Sequence, residues 1–136
     1  MTDQRELEMQ FNYISGQIEE ARRQLGELRM VLQEAQETLL ALAELETKPK
    51  STMVALGSSV FVSATLEQGK VIAPIGTNVF VKQTPQEAMK SIEQRASKLN
   101  EAAQNIEKTL SQMASMRQKI MQQAQESQQN QQGQNE

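Results

Sequence analysis

Cysteine, histidine and tryptophan are missing from the chain, aspartate occurs once, at Asp3, and aromatic residues make up only 3% of the sequence. Without thiols or imidazoles there is no disulfide, no Cys/His zinc site and no thiol or imidazole catalysis. A calcium loop of the EF-hand kind is excluded as well, because it needs several closely spaced Asp or Asn oxygens ending in a Glu. Basic excess is also lacking. The formal net charge is −3 and the isoelectric point about 5.2, so no basic face suited to nucleic-acid phosphates is expected. Uniformly apolar runs such as Val71 to Ile75 are too short to cross a bilayer, and the segment Met1 to Glu6 has neither the basic nor the apolar region of a signal peptide. These features lead us to expect a soluble cytoplasmic protein with no membrane partner, and the absence of cysteine agrees with a reducing compartment. At 136 residues the chain suffices for one modest domain, or for an elongated unit with little core.

What is present is periodicity. From Leu7 the apolar residues fall at Leu7, Phe11, Ile14, Ile18, Ala21, Leu25, Leu28, Leu32, Ala35, Leu39 and Leu42, alternating steps of four and three. Five unbroken heptads exceed what a coiled-coil assignment requires. Asp3, with Glu6 three residues later, can cap the start, and Lys48-Pro49 ends the helix because proline disfavours helix in the residue before it. The spacing predicts a helix over 4–46. A second seam runs through Met89, Ile92, Ala96, Leu99, Ala103, Ile106, Leu110, Met113, Arg117, Ile120 and Ala124, interrupted only by Arg117. Thr84 as N-cap, Pro85 at the first helical position and Glu87 placed for a capping box predict a helix over 84–124 with its cap. Each seam makes a stripe about 50 Å long at 1.5 Å per residue. Folded back antiparallel, the stripes would pair Phe11 with Ile120, Leu25 with Ile106 and Leu42 with Met89. Charge agrees: residues 1–46 carry a net −6 and residues 84–121 a net +2, and opposite signs suit the flanks of one seam.

Between the helices, residues 47–83, the period changes to two. Met53 to Leu56, Val60 to Leu66, Lys70 to Ile75 and Val79 to Lys82 read as four short strands, separated by Gly57-Ser58-Ser59, Glu67-Gln68-Gly69 and Gly76-Thr77-Asn78. Four such strands make two β-hairpins, which are marginal alone and leave edges unpaired, so the chain is expected to oligomerise through them. Residues 125–136 are dominated by glutamine and are expected to be disordered. The fold class is thus mainly α with a small β part: a long antiparallel two-helix coiled coil whose helices are joined by two hairpins.

This order of parts resembles the prefoldin family, in its archaeal-type alpha class, over residues 5–125. The match is carried by Leu56-Gly57, Val60-Phe61-Val62, Gly69 to Gly76, and Val79-Phe80-Val81-Lys82 running into Thr84-Pro85-Gln86-Glu87-Ala88. The linker has room for two hairpins, as in the alpha class; the beta class has one. The resemblance implies an ATP-independent chaperone in which two alpha and four beta subunits join their hairpins into an intersubunit β-barrel. It also implies that the tips of six coiled coils hold unfolded polypeptide for delivery to a group II chaperonin. The body would be built on Val60, Val62, Val71, Ile72, Ile75, Val79 and Val81, with no cofactor and no metal.

A chaperone without nucleotide must hold its clients on apolar surface, since hydrophobic contact tolerates unrelated sequences. The large apolar residues off the seam near the chain ends are Met9, Tyr13, Met116 and Met121, and methionine adapts to varied partners. Leu7, Phe11, Ile14, Met113 and Ile120 would join them if the tips splay; the bland alternative is that the four off-seam residues are ordinary exposed residues and the others ordinary seam. Arg117 either snorkels at a frayed end or weakens the seam. The pairs Glu19-Glu20, Glu34-Glu37 and Glu44-Glu46 read as solvated helix faces, and Gly69-Lys70 lacks the spacing of a phosphate loop. No catalytic constellation is present, and an enzyme is not expected. Two rival functions remain. A homotypic coiled-coil tether would have no use for two hairpins at mid-chain, and a helical-hairpin regulator of an enzyme channel would need a short acidic turn, where this chain has Thr47-Lys48-Pro49-Lys50.

Overall fold

The computed structural model describes residues 3–45, 47, 51–67 and 69–134. The elements in chain order are α1 (Gln4–Leu45), β1 (Ser51–Gly57), β2 (Val60–Thr65), β3 (Val71–Gly76), β4 (Val79–Gln83) and α2 (Pro85–Gln134). The Lys48-Pro49 stop and Gln68 of the middle turn lie outside the described residues. Two compact units divide the chain, one of residues 1–31 with 99–136 and one of residues 32–98.

In the first unit the heptad positions are the covered ones. Leu7, Ile18, Leu25, Ala103 and Ile120 are buried, with Ile18 only 1% exposed. Phe11, Ile14, Ala21, Leu28, Leu99, Ile106, Leu110, Met113 and Ala124 are half-buried. The helices run antiparallel: Leu7 and Phe11 share a cleft with Ile120 and Ala124, whereas further along α1 the Arg29 guanidinium donates to Glu107 Oε1 at 2.7 Å. Both partners of that pair are exposed, so it marks the register more than it stabilises it. Arg117 is half-buried at its seam position, as a side chain does when its stem lies along apolar surface and its head reaches water.

Capping is visible at both helix starts. The Arg5 amide donates to Asp3 Oδ1 at 3.5 Å. The Glu87 amide donates to Thr84 Oγ1 at 3.2 Å, and the Ala88 amide to the Thr84 carbonyl. Replacing Thr84 by Ala removes one acceptor for the orphan amides and is expected to lower stability by about 0.5–2 kcal/mol. A denaturation midpoint that does not move would show the cap to be redundant with Pro85.

The second helix departs from expectation at its end. Residues 125–134 were expected to be disordered; instead α2 continues through them to Gln134. Glutamine is a good helix former and this stretch has no proline, so backbone hydrogen bonding continues although no apolar seam remains to bury.

The second unit holds the remaining helical turns and the strands. Leu42 and Ala88 are buried there. The strands form two separate two-stranded sheets, β1 with β2 and β3 with β4, both antiparallel. They are near-copies. Leu56 to Val62 and Ile75 to Val81 align at an interval of 19 residues, each reading apolar-Gly-polar-polar-Val-Phe-Val. The register repeats as well: Gly57 pairs with Val60 and Gly76 with Val79, each after a bulge next to the glycine. The tight turns differ. Ser58 and Ser59 both take positive φ, of 46° and 63°, as a primed hairpin turn demands, while in the second turn only Asn78 does, at 60°. Asn tolerates that region better than serine, so the first turn holds more backbone strain.

Candidate functional site

Two surfaces of the chain expose apolar residues that a self-sufficient fold would cover. The first is the pair of hairpins. Period-two strands place alternate side chains on opposite faces, and a two-stranded sheet without a packing layer leaves both faces wet. Phe61 is 55% exposed, Ile72 70% and Phe80 61%, and Val60, Val62, Ile75 and Val79 are exposed with them. Of the residues expected to build the body, only Val71 and Val81 are half-buried. Sequence reasoning omitted Phe61 and Phe80, the largest side chains on these strands; their repeated Val-Phe-Val setting was the available signal. Lys82 Nζ lies 3.6 Å from Glu67 Oε2, an exposed link between β4 and the segment after β2.

The second surface belongs to the first unit, where α1 begins and α2 nears its end. An open cleft of about 430 Å³ lies between the helices, lined by Gln4, Leu7, Glu8, Phe11, Ile120, Met121, Ala124, Gln125 and Gln128. It brings together Phe11, Ile120 and Met121 of the eight residues expected to hold clients. The other five are not part of it. Met9, 71% exposed, and Tyr13 stand on outward positions of α1 and Met116 is exposed on α2, while Ile14 and Met113 are half-buried in the seam. Leu7, expected to meet clients if the tips splay, and Ala124, which was not singled out, floor the cleft. Both are seam positions at the ends of their stripes, and antiparallel pairing was the signal that could have joined them.

Away from these surfaces, the charges in the middle of α1 are those of a solvated helix face. Arg23 Nη1 donates to Glu27 Oε1 at 2.6 Å and Nε to Glu20 Oε2 at 3.1 Å. Its hydrogen bond to Glu20 holds that carboxyl below its ordinary value and raises Arg23 in turn. Among the described residues no group of three or more acidic side chains could hold a metal ion, and no helix is long and apolar enough to cross a membrane. Neither surface gathers a nucleophile with a base, so what both can do chemically is bind apolar partners.

Comparison with known proteins gives the same picture from another side. The family model described as prefoldin subunit matches residues 14–130. Prefoldin subunit alpha of Methanococcoides burtonii is 27% identical over 114 residues, which cover 82% of this chain and 83% of the relative. Prefoldin subunit alpha of Picrophilus torridus is 29% identical over 98 residues, or 71% of this chain and 70% of the relative. In fold the chain is similar to a chain in the cryo-EM structure of filamentous PFD from Methanocaldococcus jannaschii, with a TM-score of 0.73, 23% identity, and coverage of 85% of this chain and 98% of that one. With paired helical seams, twin hairpins and a family match over most of its length, the chain belongs to the prefoldin family, and it is a chaperone subunit, not an enzyme.

Proposed function

We propose that this chain is the alpha-class subunit of a cytoplasmic, ATP-independent holdase in which two copies join four beta-class subunits. In this assembly the hairpins of residues 47–83 complete an intersubunit β-barrel with those of the partners. The coiled-coil helices, residues 4–46 and 84–124, hold non-native proteins at their free ends and pass them to a group II chaperonin. No nucleotide, cofactor or nucleic acid takes part. The observation that carries the proposal is the exposure of valine, isoleucine and phenylalanine on strands with unpaired edges. Such strands invite pairing with another chain, and the apolar side chains supply the driving force when they do. Holding is assigned to the helix ends because the apolar cleft lies there, with exposed Met9, Tyr13, Met116 and Met121 nearby in sequence.

The test separates holding from assembly. Removing residues 1–14 together with 113–136 is expected to leave the oligomer intact while reducing suppression of aggregation of a chemically denatured client, read by light scattering. Full suppression by the trimmed protein would place the client surface elsewhere, in the cavity of the body.

A further inference from the structure

The cleft at the end of the helix pair does not stop at its apolar floor. A second cleft of about 410 Å³ is lined by Gln4, Gln128, Gln131 and Gln132 alone. It shares Gln4 and Gln128 with the first, so the two form one continuous surface. Along α2 the seam positions change from Ile120 and Ala124 to Ser127 and Gln131. Between residues 120 and 134 the helix carries one charge, Glu126, against seven glutamines and one asparagine besides Gln134 itself, eight glutamines in all with one asparagine. A surface meant only for solubility is normally charged; this one is almost uniformly amide.

We propose that this composite cleft reads the polypeptide backbone: the apolar part takes client side chains, and the glutamine part hydrogen-bonds the main chain beside them. The inference rests on the holdase function and names its substrate class, extended apolar segments of low charge. A glutamine amide has two N–H donors and a carbonyl with two lone pairs, against the one N–H and one carbonyl of a peptide unit. It can therefore donate to a client C=O and accept from a client N–H without regard to sequence. Folded proteins satisfy nearly all their buried backbone groups internally. A non-native segment presents large apolar side chains and free backbone groups side by side along its length, so the two halves together recognise two marks of the unfolded state. The apolar cleft is within the size range of small-molecule and side-chain pockets. Its rim brings one charge, Glu8, so attraction of strongly charged segments has little to act on.

The test uses the full-length chain and two fluorescein-labelled peptides of alternating leucine and serine, one unmodified and one N-methylated at alternate backbone amides. N-methylation leaves the side chains in place and removes donors. For the wild-type chain, fluorescence anisotropy is expected to show at least about fivefold weaker binding of the methylated peptide. Affinity for the unmodified peptide should change by less than about twofold between about 50 mM and 500 mM salt. The variant Q128A/Q131A/Q132A is expected to bind both peptides alike. Alanine favours helix at least as well as glutamine, so the variant folds, which circular dichroism checks. Equal binding of the two peptides by the wild type, or a preference that survives in the variant, overturns backbone reading while leaving the holdase function standing. Loss of peptide binding as the chain self-associates with concentration would show that a second copy covers the cleft, and also overturns it. If neither peptide binds while clients are still protected from aggregation, the cleft is not the holding site; if protection fails too, the holdase reading falls with it.

Discussion

A chain in which residues 53–82 are replaced by a short turn is expected to keep its helical circular dichroism and to lose assembly completely. If the proposed complex holds six subunits each close to the 15.3 kDa of this chain, it should migrate at about 90 kDa; the shortened chain should not enter it. The reasoning lies in where the buried residues are. Leu7, Ile18, Leu25, Ala103 and Ile120 are covered within the first unit, which contains no strand among its described residues. The hairpins carry the opposite property, apolar side chains left in water on strands with free edges. Burying one such side chain contributes about 1.5–3 kcal/mol, and several are lost together by the deletion. A full-size complex built from the shortened chain would move assembly to the helices and leave the exposed strands without a purpose.

Ile18→Ala should be the most damaging single truncation in the coiled coil. Ile18 is the most completely buried large side chain among the described residues. Its removal loses the transfer free energy of the side chain and leaves a cavity that a two-helix seam can only partly close, for a total of about 2–5 kcal/mol. That is a large share of the 5–15 kcal/mol typical of a folded domain. Met30→Ala supplies the contrast, because Met30 is exposed and a surface truncation should stay within about 0.5 kcal/mol. Urea unfolding followed by helical circular dichroism measures both. Equal shifts for the two variants would mean that the heptad seam is not what holds these helices together.

The seams could be read from the sequence because a coiled coil is a local code: every heptad position from Leu7 to Leu42 and from Met89 to Ala124 is buried or half-buried. The caps at Asp3 and Thr84 were legible for the same reason, since an N-cap needs only its neighbours. The strands fell within a few residues of their observed limits. The bulges beside Gly57 and Gly76 were not foreseen, because a bulge is a property of two strands in register and neither strand announces it alone. The end of α2 was misplaced through the assumption that a helix stops where its apolar stripe stops; glutamine keeps the backbone helical without one. The cleft was legible only in part. Leu7, Phe11 and Met121 were singled out one by one, but Ala124 and the glutamines join them only when the two chain ends are brought together, and Met9 and Tyr13 lie outside the cleft.

The duplication of the hairpins gives the subunit a valence. A chain with one apolar strand pair has one such patch for neighbours to cover, whereas a chain with two near-identical pairs, 19 residues apart, has two, and under the proposed assembly each could take a different neighbour. If the partners carry a single pair, as the proposed assembly has it, the supply of one kind relative to the other would decide whether growth closes into a small ring of fixed size or continues. The number of copies a cell makes of each partner then becomes a structural parameter, as the ratio of linker to end-cap does in a polymer melt.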